Sequence, residues 1–431
     1  MEMTAREAAL SALIACRRQG AWSEGILKEL LRDTERREAA LASRLCYGVL
    51  QNQLLLDYWI DGFVKGKLQP VVRDILRLGL YQIQFNDKIP ASAAVNEAVE
   101  QCKKHANFQA ARLVNGVLRS ILRAGELSLP ADPGLRYSHP APLAALLTAE
   151  FGAEKAEALM RCHNEAPRTT LQLNPILGQL RSVAAELEAA GCSVEAHPWL
   201  EDCLLVTATG SLEQLPAFRE GRVYVQDAAA RLSVLAAGLQ PGMQVLDCCA
   251  APGGKSFAAA MCMENTGSLI SCDIHPHKLK LIEKGAQRLG IRILTTRLQD
   301  ASKPVAEFVG QMDAVLADVP CSGLGVIRKK PDIRYKDLQQ TEALPGIQLA
   351  ILEQQSRYVK PGGVLLYSTC TVLKRENEQV VEAFLENHGE FVPEEIVFPP
   401  MSGLPRGAMA TLLPCDQGTD GFFICKLRRK P

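Results

Sequence analysis

Most of the features that identify a protein quickly are missing from this sequence. Its formal net charge at pH 7 is +0, so no overall positive field draws it to nucleic acid; such a partner must be met by local patches or by the chemistry of a site. No apolar run reaches the roughly 18 residues that span a bilayer. The N-terminus carries an amphipathic pattern where a signal peptide would have a basic region, an apolar run and a small-residue cleavage site. No lipidation motif occurs, and a cytoplasmic protein without membrane contact is expected. C-x-x-C spacing is absent. The fourteen cysteines are scattered singly apart from the adjacent Cys248 and Cys249, which argues against a disulfide framework and for a reducing compartment. His275 and His277, near Cys272, lack a second properly spaced ligand pair, so no metal is expected.

What is present is an ordinary globular composition, 47% apolar and 22% charged over 431 residues, a length that suggests about three domains. From Thr4 to about Ala124 the periodicity is helical: Thr4 and Glu7 form a capping box, and Val72, Ile75, Leu76 and Leu80, then Val114, Val117, Leu118 and Ile121, recur at helix spacing. A helix bundle over residues 1–127 follows. "AGELSLPADPGLRYSHP" breaks the period and reads as a linker. Beyond it, "TTLQLNP", "CSVEAHP" and "CLLVTAT" read as strands around the helical "LRSVAAELEAAG", a small α+β module within 128–218. From 219 to 431 short β-branched runs alternate with helical stretches, the pattern of a parallel sheet wrapped by helices, whose ligand site lies at the carboxyl ends of its strands. Asp247, Asp273, Asp300, Asp318 and Cys370 end these runs.

"LDCCAAPGGKS" follows the first of them. A P-loop would need glycine where Cys249 stands, and no G-x-G-x-x-G exists, so this turn is not built for phosphates. Cys249, Ala250, Ala251, Pro252, Gly253, Gly254 and Lys255 instead offer backbone that can press against an uncharged or zwitterionic ligand. Asp273, about twenty residues on, stands where an acidic side chain binds ribose hydroxyls, and Asp300 ends the next strand similarly. A single such aspartate would read as a solvated strand end. Several in register describe an adenosine without phosphates joined to an amino acid, which is S-adenosyl-L-methionine. In "DVPCSGLG", Cys321 reads equally as a nucleophile, as an assistant to another, or as a buried apolar residue in a turn.

"CCAAPGGKS", "DVPCSGLGVIRKKPDIRY" and "YSTCTVLKRENEQVV" closely resemble the RNA cytosine-5 methyltransferases, and among them the bacterial 16S rRNA methyltransferases of the RsmB (Sun/Fmu) family. "PASAAVNEAVEQCKK" and "ARLVNGVLRSI" resemble the antitermination factor NusB. The resemblance implies an all-α NusB-like bundle, a small α+β module and an α/β Rossmann-like class I methyltransferase domain. It implies that Cys370 adds to C6 of a cytosine, that Cys321 assists product release and that Asp318 meets the ring edge and borders the cofactor. Lys255 is the candidate positive charge beside Cys370. The target base must be single-stranded or flipped out of its stack. Arg328, Lys329, Lys330 and Arg334, with Tyr335 for stacking, are the candidate RNA contacts of a monomer acting on 16S rRNA. A tRNA cytosine-5 methyltransferase and an RNA-binding scaffold with an inactive methyltransferase fold are the competing readings.

Overall fold

A computed structural model describes residues 3–19, 23–177, 180–207, 212–399 and 404–431. The chain divides into two compact units: Met1–Glu165 with Ile327–Lys336, and Ala166–Val326 with Asp337–Pro431.

The first unit is helical. Ala5–Gln19, Arg36–Asp61, Pro70–Phe85, Ala91–His105 and Phe108–Ala124 bring Leu10, Val49, Leu56, Ile75, Leu76, Val95, Leu118 and Ile121 into one core. The Thr4 hydroxyl accepts from Glu7 N at 3.3 Å, as the capping box requires, and Asn107 caps the last of these helices through Ala110 N. Helices Ser23–Leu30, Pro133–Arg136, Ala141–Phe151 and Ala153–Cys162 and the short turn Pro331–Tyr335 also belong to this unit.

The long helix Arg36–Asp61 kinks at Asn52, where φ and ψ are −117° and 16°. In an unbroken helix the amides of Leu54 and Leu55 would bond the carbonyls of Leu50 and Gln51. The kink frees all four groups, and each finds a partner elsewhere. Both amides donate to the Ser138 hydroxyl at 3.1 Å. Leu50 O accepts from the Tyr335 hydroxyl at 2.7 Å, and Gln51 O from Arg334 Nη1 at 2.8 Å. Ser138 and His139 are fully buried, so the end of the segment that reads in sequence as a linker packs against this helix, while Glu126 and Leu129 nearer its start are exposed.

Arg334 is likewise a correction to the expected RNA surface. It is 1% exposed, and Nη1 also donates to the carbonyls of Tyr137 and Ser138 and to Asn164 Oδ1. A planar fork of donors suits a nest of carbonyls as well as it suits phosphate. Tyr335, its hydroxyl bound to Leu50 O, is not a free stacking platform. Lys330 is exposed and pairs with Glu24 at 3.0 Å.

The second unit carries two sheets. Strands β1 (Thr169–Leu173), β2 (Ser193–Ala196), β3 (Cys203–Thr207) and β4 (Val223–Val225) form an antiparallel sheet of order β2-β3-β1-β4, with helix Leu180–Ala189 nearby in sequence. Residues 208 and 209, the end of the run "CLLVTAT", lie outside the described residues. The larger sheet contains β5 (Gln244–Asp247), β6 (Ser268–Asp273), β7 (Leu294–Leu298), β8 (Met312–Asp318), β9 (Val359–Thr369), β10 (Phe391–Pro393), β11 (Met409–Leu412) and β12 (Phe422–Arg429). Its order is β10-β12-β9-β8-β5-β6-β7, with β11 on β12. Strands β5 to β9 pair in parallel and β10 to β12 antiparallel. Alternation explains the continuous apolar runs. Ala314, Leu316, Val364 and Leu366 enter one core, whereas Val315, Ala317, Leu365 and Tyr367 enter another on the opposite face. This is the mixed-sheet, Rossmann-like methyltransferase architecture, and β10 to β12 are strands that the alternating pattern did not announce.

Candidate active site

The carboxyl ends of β5, β6, β8 and β9 deliver Asp247, Asp273, Asp318 and Cys370 to one rim of the sheet, and Asp300 follows β7. The glycine loop is fixed first. Ala250 N donates to Cys272 O and Gly253 N to Ala250 O, at 2.8 and 2.7 Å. Gly253 has φ +110°, a left-handed value, and a Cβ there would lie 2.5 Å from the Phe257 ring, so glycine is required on both counts. Helix Gly254–Cys262 starts here without a side-chain cap, leaving its first amides facing the loop.

A cavity of about 520 Å³ is lined by Cys249, Ala251, Asp273, Asp300, Asp318, Cys321 and Cys370, among others. Asp273 is oriented by His275 N, which donates to Oδ1 at 2.9 Å. The Ser302 hydroxyl and amide both donate to Asp300 Oδ1, at 2.7 and 2.9 Å, and hold its carboxyl below the ordinary range. A smaller pocket of about 190 Å³ is lined by Asp247, Ala250, Pro252, Gly254 and Lys255 and shares Cys249, Ala251 and Asp318 with the first. Asp247 is fully buried. Its Oδ2 accepts from Ser256 Oγ at 2.7 Å, while Oδ1 has no hydrogen-bond partner. Burial, reinforced by the Asp318 charge, pushes its pKa up to about 6. An orphaned carboxylate oxygen in a polar pocket fits an ammonium group, and acids at the far cavity fit ribose hydroxyls. These residues therefore fit S-adenosyl-L-methionine.

Cys321 and Cys370 face each other, Sγ to Sγ, at 3.2 Å. Cys370 is held below the ordinary thiol range, first because the Cys321 thiol donates to it, with Lys255 adding attraction against burial and the Asp318 charge. Cys321 is raised well above that range by the same bond and by burial. Of the two thiols, Cys370 is the more readily ionised. Lys255 Nζ lies 2.6 Å from Asp318 Oδ2, and Ser368 Oγ donates to Oδ1 at 2.9 Å. Burial opposes the Lys255 charge, and Asp318 together with Asp247 and Cys370 more than offsets it. All four expected catalytic residues are brought together.

Sequence reasoning missed the groups that hold them. Buried Glu376 accepts from Ser322 N at 2.8 Å and from Gln348 Nε2 at 3.0 Å. Ser322 Oγ meets Thr371 Oγ1 at 2.7 Å, and Asn377 joins the Thr369 hydroxyl to Thr371 O. Ser322 thereby ties the Cys321 loop to the Cys370 loop, and Asn377 braces the latter on both sides of its sulfur. Gly325 completes the tie: its amide donates to Cys370 O, and a Cβ would lie 1.9 Å from Gly421 O. Glu376 and Asn377 stand in "KREN", where nothing local marks them: Glu376 meets partners 54 and 28 residues away, and Asn377 ties back to Thr369 and Thr371 of its own loop.

The family model described as 16S rRNA methyltransferase RsmB/F matches residues 234–428, the NusB family model residues 3–123, and an RsmF/B-like ferredoxin-like domain residues 139–213. The probable ribosomal RNA small subunit methyltransferase B of Bacillus subtilis (strain 168) is 39% identical, covering 99% of this chain and 98% of the relative. The chain belongs to the RsmB/F family. The ribosomal RNA small subunit methyltransferase B of Vibrio cholerae is 34% identical with the same coverage of 99% and 98%. Among solved structures, PH0851 shares the fold with a TM-score of 0.82 at 24% identity, over 100% of this chain and 99% of that one. A methyltransferase homolog from Pyrococcus horikoshii has a TM-score of 0.60 at 26% identity, over 69% of this chain and 98% of that one. RsmB/F proteins are methyltransferases that use S-adenosyl-L-methionine, the cofactor the two cavities fit. Among the described residues of this RsmB/F chain, no group of His, Cys, Asp or Glu side chains could hold a metal ion, and no helix is long and apolar enough to cross a membrane.

Proposed function

We propose that the chain methylates C5 of a cytosine in 16S rRNA through a covalent adduct between Cys370 and C6 of the base. The observation that carries this reading is geometric: two thiols in contact at 3.2 Å in the cavity that Asp318 also lines, with Lys255 on Asp318. C5 of cytosine is a weak nucleophile until a thiolate adds to C6 and drives the ring electrons towards C5. Asp318, clamped by Lys255 and Ser368, meets the N3 edge of the base, and a proton shared along Lys255 and Asp318 answers the negative charge that builds there. The methyl group supplied by S-adenosyl-L-methionine then bonds to C5 as its bond to sulfur breaks. In the elimination the Cys321 thiol gives its proton to the leaving Cys370 sulfur and takes the C5 proton in its place: the C5–H electrons re-form the C5=C6 double bond as the C6–sulfur bond breaks, and Cys370 then releases the proton it received to solvent.

The target base is single-stranded or flipped into the cavity, because neither thiol can reach C6 inside a stack. In this reading residues 219–431 catalyse, while the bundle of 1–127 and the module of 128–218 position RNA, with Arg328, Lys329 and Lys330 on its phosphates. The enzyme acts in the cytoplasm as a monomer.

The two cysteines fail in opposite ways. Cys370→Ala is expected to yield neither product nor adduct. Cys321→Ala is expected to transfer methyl but release poorly, so protein accumulates bound to RNA and migrates as a retarded band on a denaturing gel. A band from Cys370→Ala and none from Cys321→Ala would exchange the roles. Bisulfite sequencing of RNA from a deletion strain locates the base, and loss of a tRNA site in place of a 16S rRNA site would overturn the substrate.

A further inference from the structure

Gln226, directly after β4, lines the smaller pocket, is 7% exposed, and enters none of the steps above. Its backbone is tied to β1 on both sides: its amide donates to Thr170 O at 3.2 Å, and its carbonyl accepts from Gln172 Nε2 at 3.1 Å. Gln172 is itself fully buried, its Oε1 taken by the Cys203 thiol. The Gln226 side chain is oriented as well. Burial raises the Tyr224 phenol, which keeps its proton and donates to Gln226 Oε1 at 3.3 Å. The amide nitrogen therefore points the other way, beside Gly254, where an added Cβ would lie 3.3 Å from Nε2. Nε2 is buried and has no hydrogen-bond partner.

A buried amide nitrogen without an acceptor is costly. Its pocket also contains Asp247 Oδ1, a buried acceptor without a donor. One orphaned donor and one orphaned acceptor in a single polar pocket are the complement of an amino-acid zwitterion.

We propose that Gln226 donates to the carboxylate of the methionine portion of the cofactor, opposite the ammonium at Asp247, and that Gln172 of β1 is its positioning residue. The small four-stranded sheet is then part of the cofactor site. This rests on the cofactor reading, and ligand dissection separates the two. Calorimetry on the full chain compares S-adenosylhomocysteine with 5′-methylthioadenosine, which keeps the nucleoside and lacks the amino acid. Gln226→Ala and the size-matched Gln226→Met are expected to weaken S-adenosylhomocysteine about 10- to 100-fold. Gln226→Glu sets carboxylate against carboxylate and weakens it further. Binding of 5′-methylthioadenosine stays within about twofold in all three. Gln172→Ala gives a smaller loss, again confined to the amino-acid ligand. Equal losses for both ligands would reduce Gln226 to a prop for Gly254, and no loss for either would place the carboxylate elsewhere; both overturn the inference. A wild-type protein that binds neither ligand overturns the cofactor reading and this inference with it.

Discussion

The sulfurs of Cys321 and Cys370 lie 3.2 Å apart and titrate as a coupled pair, in which a Cys321 thiol that donates to Cys370 holds Cys370 below the ordinary thiol range. Cys321→Ala removes that donor. The pH midpoint for alkylation of Cys370 by iodoacetamide, followed by mass spectrometry, is expected to move up; an unmoved midpoint would assign the activation to Lys255. Asp247 shows the cost of keeping a ligand site ready. Its folded pKa of about 6 lies above the unfolded carboxyl, so its favourable contribution is complete below about pH 4 and is lost as pH rises through about 6. Holding this carboxylate ionised in the fold at pH 7 costs roughly 3 kcal/mol. Asp247→Asn is therefore expected to raise the melting temperature of the ligand-free protein at pH 7, with no gain at pH 4, while weakening S-adenosylhomocysteine. The asparagine keeps an acceptor for Ser256 and loses the one for the ammonium.

At the scale of elements, the kink at Asn52 and the segment 327–336 explain each other. The kink leaves two amides and two carbonyls without helical partners, and Ser138, Arg334 and Tyr335 satisfy them. Ser138→Ala strands the Leu54 and Leu55 amides in the interior, and a loss of about 1 to 3 kcal/mol is expected in denaturant unfolding. Arg334→Ala removes the partner of four backbone carbonyls and Asn164 Oδ1, and is expected to cost about 1 to 3 kcal/mol for the acceptors it leaves unpaired. Were Arg334 instead a phosphate contact, the same substitution would leave stability unchanged and reduce the salt dependence of RNA binding. The sequence "VIRKKPDIRYK" does not separate these cases, since a basic run looks the same whether its side chains meet water, phosphate or carbonyls.

For the whole molecule, both cavities lie within the unit built from Ala166–Val326 and Asp337–Pro431. A fragment beginning at Ala166 is expected to bind S-adenosylhomocysteine within about tenfold of the full chain, because Gln226, Asp247 and Asp273 remain, while RNA methylation falls much further. A cut after residue 124 leaves Arg334 without the Gln51 carbonyl. The amino-acid sequence by itself determined the helical period of the bundle, the strands of the parallel sheet, the glycine loop, the aspartates at the strand ends and the two cysteines. Each of these is a local pattern, set by backbone geometry over a few residues or by a short motif. Only the tertiary structure decided that the two cysteines meet, which acid pairs with Lys255, and that Arg334 is interior. Those partners stand 49, 63 and, for Arg334 and Gln51, 283 residues apart. A polar side chain takes its role from the group that meets it once the apolar faces have packed, and local periodicity records the packing without naming that group.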